Sequence, residues 1–461
     1  MRTRSAERLF GSWLAGTLAV WLLAVSGCTG PIRTDRSLPL APRPASGYWF
    51  DDYRRARAGL DRPELLAGAA RVKLTPRAGT PIAGHGFNKR SRGVLDDIWA
   101  RVLYLDAGAE AVVLVSVDFI GLGLPRVERI RSRISRENAS RILVLATHNH
   151  AGPDTLGFWG PAALGLLPVR SGIDPPYMER VERGIAAAIE RAVGNARPAR
   201  LYAGRFEVPE GLAHNMREPG DVDRTVHVLR AAGRDGSTIA TLVHYANHAE
   251  SLQDNNRWLS ADFPGVLYRE VDRVLGGVTL FATGPAGGMI EPANQAEDPD
   301  PLRRAFREKL GGALAEGVIR ATIGGMHEIA PAHLRVVSMR LALPLQPGSL
   351  LELAIRLELV DPRPVRTDML ETQMALVDLG ELQILTVPGE PTPELGRAIA
   401  RQMPAEFRLV ACVALDELGY MLTARQWADE RFDYERSMSM GPQTGARVLQ
   451  AARELVQSLR R

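Results

Sequence analysis

The chain has 461 residues, of which 45% are hydrophobic and 24% are charged, so its composition is that of an ordinary globular protein. The formal net charge is only +4, and no dense stripe of lysine or arginine runs along the chain, which argues against a nucleic-acid partner. Two cysteines are too few for a disulfide framework or a cysteine-based metal site.

The first residues have the pattern of a secretory signal peptide. A basic start is followed by a nearly all-apolar run from Leu14 to Val25, and small residues directly precede Cys28. This run is short for a membrane span. The residues before Cys28 resemble a bacterial lipobox, which implies cleavage before Cys28 and lipid attachment to it. An ordinary signal peptide with an incidental cysteine is the alternative.

This interpretation divides the chain into a lipoprotein signal peptide over residues 1–27, a lipidated tether over residues 28–65 and a folded domain over residues 66–461. The tether is rich in proline, arginine and small residues, which is typical of a linker. Acyl chains on Cys28 would anchor the protein to a membrane of the cell envelope, on the periplasmic side or in the outer membrane.

Strands and helices alternate along the folded domain, which predicts an α/β fold with mixed sheets flanked by helices. Short apolar runs rich in β-branched residues predict strands, and apolar residues three or four apart predict helices. The predicted strands are 102–105, 111–117, 141–147, 225–232, 238–245, 278–281, 336–345, 382–387 and 407–415. The predicted helices are 127–137, 177–193, one after Phe263, 302–321, 350–360, 369–377 and 445–459.

The most informative motif is His148-Asn149-His150, at the carboxyl end of the predicted strand 141–147. Side chains alternate along a strand, so both imidazoles are expected to point the same way. The carboxyl ends of strands are where open α/β sheets place their ligand crevices. Two convergent imidazoles favour a metal or catalytic cleft. A pair of hydrogen-bonding loop histidines is the alternative.

Three more polar residues follow predicted strands, where a rigid scaffold can present them: His248, Glu390 and Tyr420. Each one has an ordinary alternative explanation. His248 is also compatible with a core histidine, Glu390 with a cap of the following helix, and Tyr420 with a packing residue.

Taken together, these motifs resemble the neutral, non-lysosomal ceramidases and their bacterial relatives, from about Val72 to the C-terminus. Five family elements are matched in order. They are His-x-His-Ser-Gly-Pro at residues 148–153, His-Pro-Thr at 248–250, Ser-x-Asp-x-x-Gly at 260–265, Pro-Gly-Glu at 388–390, and a tyrosine pair at Tyr420 and Tyr434.

The resemblance implies one zinc ion, bound by His148, His248, Glu390 and Tyr420. It also implies that His150 and Tyr434 face the same cleft and steady the oxyanion or the leaving group. Two further positions carry over from the family. They are Gly84, whose backbone lines the pocket, and Arg217, which lies one residue out of register with the family's asparagine-arginine pair.

The chain also departs from the family pattern. The family's Gly-Asp-x-Ser-Pro turn is replaced by the glycine-rich residues 284–292, which contain neither that serine nor that aspartate. Leu95 stands where many relatives have histidine. The separate immunoglobulin-like C-terminal domain of the ceramidases has no counterpart in the sequence, so we expect a single large catalytic domain. The departures leave the metal ligands intact.

The sequence therefore predicts a zinc-dependent hydrolase that cleaves an N-acyl amide, such as a ceramide-like lipid, with metal-activated water at a membrane surface. Two alternatives stay open. One is a lipid-binding lipoprotein that keeps the fold without turnover, and the other is a zinc hydrolase of another amide or of an ester.

Overall fold

The computed structural model describes residues 49–58, 64–135, 137–163, 167–294, 297–329, 334–363 and 365–460. The predicted signal peptide, Cys28 and the first part of the predicted tether lie outside the described residues. Among the helices of the described part, none is long and apolar enough to cross a membrane.

The described residues form helices and strands that alternate along the chain. The helices are α1 (Trp49–Ala58), α2 (Leu124–Ser132), α3 (Pro175–Gly194), α4 (Asp262–Leu275), α5 (Asp300–Gly324), α6 (Leu350–Arg356), α7 (Pro393–Ala400), α8 (Ala424–Trp427), α9 (Asp433–Ser437) and α10 (Thr444–Ser458). The strands are β1 (Leu66–Lys73), β2 (Gly93–Val94), β3 (Trp99–Asp106), β4 (Ala111–Val117), β5 (Ile142–Ala146), β6 (Ala162–Ala163), β7 (Leu167–Pro168), β8 (Arg197–Glu207), β9 (Ala213–Asn215), β10 (Thr225–Gly233), β11 (Thr238–Tyr245), β12 (Trp258–Leu259), β13 (Val278–Thr283), β14 (Ile290–Pro292), β15 (His327–Ile329), β16 (Arg335–Pro344), β17 (Val365–Arg366), β18 (Met369–Asp378), β19 (Leu382–Thr386), β20 (Glu390–Pro391), β21 (Phe407–Ala411) and β22 (Tyr420–Met421).

The larger sheet has the strand order β13-β11-β10-β8-β1-β3-β4-β5, and β15 pairs with β8. Its pairs β4/β5 and β11/β13 are parallel and the other pairs are antiparallel, so the sheet is mixed. Every residue of β4 and β5 is buried, as expected for apolar strands covered on both faces. Helix α3 packs against β1 and β3, and α4 packs against β13 and α5.

A second sheet has the order β16-β18-β19-β21, with β17 on β18 and a parallel β19/β21 pair. It joins the larger sheet just past the end of β21. There the Ala146 N–H donates to the Val413 carbonyl at 3.1 Å, and the Leu415 N–H donates to the Val144 carbonyl at 2.8 Å. The predicted fold class, mixed sheets flanked by helices, is confirmed.

One predicted element has the wrong type. Residues 369–377 were expected to be helical, but they form β18, which pairs with β16 on one side and β19 on the other. Leu370, Met374 and Val377 have helical spacing, but all three are fully buried between neighbouring elements. Pairing on both edges decides this segment, because strand preference depends on tertiary context more than on local pattern.

Two helices also have boundaries that differ from the prediction. Helix α2 begins at Leu124, with Pro125 in its first turn, and ends at Ser132, whereas residues 127–137 were expected. Helix α6 ends at Arg356 rather than at residue 360.

The folded body begins earlier than the predicted residue 66. Helix α1 lies within the stretch assigned to the tether, yet its Phe50 is buried and contacts the Tyr104 ring edge-on at a centroid distance of 6.1 Å. Arg54 forms an ion pair of 2.8 Å with the buried Asp106. Helix α1 is therefore part of the domain, and a tether that reaches residue 65 is wrong for this segment.

Candidate metal centre

The predicted site residues lie beyond the carboxyl ends of the parallel strand pairs. His148 and His150 follow β5, His248 follows β11, Glu390 follows β19, and Tyr420 follows β21. The loops after β5 and β11 touch directly, because the His150 N–H donates to the Ala249 carbonyl at 3.0 Å. The topology thus brings distant stretches of sequence to one place, as open α/β folds do at their strand ends.

His148 reaches the site by a different route from the one expected. Strand β5 ends at Ala146, and His148 has a φ of +58°, so strand alternation does not align it with His150. The Asn149 side chain holds this turn. Its amide donates to the Asp118 carbonyl at 3.0 Å and to the Ser260 carbonyl at 2.7 Å, and its oxygen accepts from the Ala151 N–H at 2.9 Å.

His148, His248 and Glu390 form a cluster that we call the first triad. The Oε2 atom of Glu390 lies 3.2 Å from Nε2 of His148 and 3.1 Å from Nε2 of His248. Each ring donates its Nδ1–H to a backbone carbonyl, His148 to Ile120 at 2.7 Å and His248 to Ile290 at 2.8 Å. Backbone bonds of this kind fix the ring orientation and leave Nε2 pointing inward, as in metal-binding histidines.

The charges of the first triad support each other. Burial acts to raise the pKa of Glu390, but the adjacent His148 and His248 rings outweigh burial and hold this pKa well below its usual range. Burial acts to lower the pKa of His148, but the Glu390 carboxylate outweighs it and raises this pKa. The carboxylate is therefore ionised at neutral pH and available as a ligand.

A second cluster, the second triad, consists of His85, His150 and Glu250. The Oε2 atom of Glu250 lies 3.2 Å from Nδ1 of His150 and 3.8 Å from Nε2 of His85. Burial, then the nearby His148, keeps the pKa of His150 well below its usual value, and burial, then Lys89, does the same for the pKa of His85. Both rings are therefore uncharged at neutral pH.

The two triads meet at His150. Its ring centroid lies 5.0 Å from those of His85 and His148 and 5.5 Å from that of His248. The donor atoms within each of three sets lie within 4.8 Å of one another, which makes each set able to hold a metal ion. The sets are His148, His150 and His248; His85, His150 and Glu250; and His148, Glu390 and Glu417.

Sequence reasoning gave no role to His85, Glu250 or Glu417. Glu250 stands two residues after His248, but it occupies the place of a threonine in the family element, so a motif comparison treats it as a mismatch. Its neighbours His85 and His150 lie far away in the chain. Only the contact between the loops after β5 and β11 brings these side chains together.

Tyr420 lies beside Glu390, because β20 and β22 pair these two residues directly. Its hydroxyl donates to the Met289 sulfur at 3.4 Å, and its ring centroid lies 5.9 Å from that of Tyr434. Burial and then Glu390 raise the pKa of Tyr420 well above its usual value. The tyrosine pair thus borders the first triad, and the glycine-rich turn supplies the sulfur that contacts it.

Gly84 and Arg217 take different parts in the site. Gly84 has a φ of +94°, and a Cβ added to it would lie 2.4 Å from Nδ1 of His150, so this position leaves no space for a side chain. The Nε of Arg217 donates to Oε1 of the fully buried Glu435 at 2.8 Å. Arg217 therefore neutralises a buried carboxylate next to Tyr434. Its predicted action on the substrate stays a prediction.

Comparisons with known proteins find similar sequences and similar structures. No family model matches the chain. Neutral ceramidase B of Dictyostelium discoideum is 22% identical over 253 residues, covering 51% of this chain and 34% of that protein. The neutral ceramidase of Drosophila pseudoobscura pseudoobscura is 25% identical over 228 residues, covering 45% of this chain and 32% of that protein. The neutral ceramidase of Mycobacterium tuberculosis is 27% identical over 157 residues, covering 31% of this chain and 24% of that protein. The matched stretch thus spans about a third or less of these relatives.

Solved structures show the fold over a larger part of the chain. The crystal structure of neutral ceramidase from Pseudomonas aeruginosa superposes with a TM-score of 0.70 at 19% identity, covering 87% of this chain and 75% of that one. A ceramidase complexed with C2 gives a TM-score of 0.69 at 18% identity, covering 87% and 76%. The chain is a divergent, neutral-ceramidase-like protein with the ceramidase fold.

Proposed function

We propose that this chain is a zinc-dependent hydrolase that cleaves the N-acyl amide bond of a lipid. The first triad is the observation that carries the proposal. Two buried imidazoles are oriented by backbone carbonyls toward one ionised carboxylate, at the strand ends of a ceramidase-like fold. An arrangement this specific is expected for a metal site and has little value for packing.

The donors of the first triad fit zinc. Two imidazole nitrogens and a carboxylate oxygen are normal ligands of a catalytic zinc ion, which keeps a position open for water or substrate. Ligand atoms bound tetrahedrally at about 2.1 Å lie about 3.4 Å apart. The distances from Glu390 Oε2 to His148 Nε2 and His248 Nε2 are 3.2 and 3.1 Å, close to that value. Tyr420 is the proposed fourth ligand.

A bound zinc ion would supply two effects, a lowered pKa for a water molecule and polarisation of the substrate carbonyl. The surrounding residues have separate tasks. Among the described residues neither ring nitrogen of His150 has a hydrogen-bond partner, so this ring can give or take a proton at the reacting amide. Gly84 leaves the space that the His150 ring needs. Tyr434 would donate its hydroxyl proton toward the developing oxyanion or the leaving amine.

The proposal also includes a substrate class and a cellular location. The relatives named above are ceramidases, so a lipid amide of the ceramide class is the proposed substrate. Acyl chains on Cys28 would hold the enzyme at a cell-envelope membrane, where such a lipid resides. A second candidate function is lipid binding without turnover. It draws support from Met289, whose sulfur engages the Tyr420 hydroxyl proposed as a metal ligand.

The test is hydrolysis by the purified full chain of three matched probes with the same acyl group: a ceramide, a simple N-acyl amide and an ester. We expect fatty acid release from the ceramide or the simple amide, loss of that release after chelation, and its return with added zinc. Release from the ester alone would indicate another hydrolase. Binding of the ceramide with no release from any probe would establish the lipid-binding alternative and overturn the proposal.

A further inference from the structure

We propose that the second triad, His85, His150 and Glu250, binds a second divalent cation of the zinc class beside the first triad. This site goes beyond the proposed function, because the hydrolase as proposed uses one ion. It contains the same kinds of donor as the first triad, two imidazoles and one carboxylate, and these residues come from three separate loops.

The spacing of the donor atoms fits one ion. The distances from Glu250 Oε2 to His150 Nδ1 and His85 Nε2 are 3.2 and 3.8 Å, and all three donor atoms lie within 4.8 Å of one another. These distances lie on either side of the roughly 3.4 Å expected between two ligands of a tetrahedral zinc ion. In the first triad the corresponding distances from the carboxylate oxygen to the two imidazole nitrogens are 3.2 and 3.1 Å.

Within the part of the chain that the structure describes, several polar atoms of the second triad are buried without a hydrogen-bond partner. The Glu250 side chain is only 4% exposed, and its Oε1 makes no hydrogen bond. Nε2 of His85 and both ring nitrogens of His150 are also buried without a hydrogen-bond partner. Although His150 Nδ1 and Glu250 Oε2 are close, they lack hydrogen-bond geometry. Buried polar atoms without a partner lower the stability of a fold. One cation would coordinate one atom from each of the three side chains.

The surrounding charges favour a cation. Three acidic residues, Glu291, Asp262 and Glu390, lie close enough to Glu250 to act on its carboxyl electrostatically. Lys89, whose charge acts on His85, donates its ammonium to the Asp254 carbonyl at 2.7 Å. A bound ion is often the largest local charge in such a site, and a cation would be attracted to these neighbouring acidic residues.

The donor types select the class of ion. Calcium and magnesium prefer oxygen ligands, whereas imidazole suits zinc and other late first-row metals. A cation on Nδ1 of His150 would also fix the proton on Nε2 of the same ring, which then becomes a hydrogen-bond donor. The use of that donor on a substrate oxygen rests on the proposed function. Occupancy of the second triad does not.

The test is the zinc content of the purified full chain after dialysis against a zinc buffer, measured by mass spectrometry. We expect about two zinc ions per chain in the wild type and about one in each of Glu250→Gln, His85→Asn and His248→Ala. His327→Gln is the control, because it removes an imidazole that is 51% exposed and lies outside both triads. It should retain about two ions.

Two results would overturn the proposal: about one ion in the wild type, or an undiminished two ions in folded Glu250→Gln and His85→Asn. Circular dichroism checks that each variant is folded. If Glu250→Gln does not fold, His85→Asn still tests the second triad, because the His85 side chain is 18% exposed and its replacement should be tolerated. If the wild type binds one ion that His248→Ala loses, the second site fails while the metal centre of the proposed hydrolase stands.

Discussion

The two triads contain the same donor types, but the backbone holds them differently. In the first triad both histidines donate Nδ1–H to backbone carbonyls, those of Ile120 and Ile290. Within the described residues no such bond orients His85 or His150, and both nitrogens of the His150 ring are unpartnered. The same ligand types can therefore be held in fixed orientations or left free to adjust. Hydrogen bonds from the rings to the backbone make the difference.

Removal of a preorganised ligand is expected to have the largest effect on activity. In His248→Ala the first triad loses a metal ligand. Because bound zinc lowers the activation barrier by several kcal/mol, we expect amide hydrolysis to fall by about a thousandfold. His327→Gln is the control, since this histidine is 51% exposed and lies outside both triads. Turnover by His248→Ala within tenfold of the control would remove the first triad from the chemistry.

The next largest effect concerns a residue outside both triads. Arg217→Met leaves the buried Glu435 without the partner that now lies 2.8 Å away, and loss of one member of a buried pair costs about 3 kcal/mol. Thermal unfolding should therefore shift down by several degrees. Arg183→Met, at an exposed ion pair, should change little. An unchanged melting temperature with a large drop in kcat would place Arg217 in the reaction instead.

A third experiment perturbs the second triad alone. In Gly84→Ala the new methyl group collides with Nδ1 of His150 and must adopt a φ of +94°, so we expect a stability loss of about 1 to 3 kcal/mol and displacement of the His150 ring. Zinc at the second triad should be lost while zinc at the first is kept. Gly86→Ala is the matched control, because a Cβ there meets nothing within 4 Å. Equal zinc content in both variants would contradict the expectation.

The difference in preorganisation should also appear in affinity. Loss of the bonds that orient metal ligands typically costs about 10- to 100-fold in metal affinity. We therefore expect titration with a weak chelator to remove zinc in two steps, the second triad first. Glu250→Gln should abolish the early step only. A single step that His248→Ala and Glu250→Gln weaken equally would mean that the triads bind as one unit.

The smallest effect is expected at Glu417. Burial and then Glu390 raise the pKa of Glu417 well above its usual value, so this carboxyl is neutral at pH 7 and Gln resembles it closely. Its Oε1 accepts from the Gly419 N–H at 2.8 Å, a bond that the amide oxygen of Gln can also accept. Glu417→Gln should keep hydrolysis within a few-fold of the wild type. A hundredfold loss would assign Glu417 to the metal centre.

The sequence predicted the parts that depend on local pattern. Buried strands such as β5 and β11 have short apolar runs, and the polar residues after them stood out because strand ends carry ligand sites. The resemblance to the ceramidases then grouped His148, His248 and Glu390, which the structure places within about 3 Å of a shared carboxylate oxygen.

What the sequence left out depends on tertiary contacts. Strand β18 has helical apolar spacing, and its two neighbours in the sheet override it. The left-handed conformation of His148 is imposed by the Asn149 hydrogen bonds. No local sequence pattern marks Glu250 and His85, because their contacts with His150 depend on the relative positions of three loops. Features that are specific to a divergent site are therefore the hardest to predict from one sequence.

The first triad is tested most directly by a crystal structure of the full chain grown with zinc, with anomalous scattering recorded on both sides of the zinc edge. We expect a strong zinc peak in contact with Nε2 of His148, Nε2 of His248 and the carboxylate of Glu390. No peak at that position, or a zinc ion held by other residues while these three keep their present contacts, would contradict this expectation.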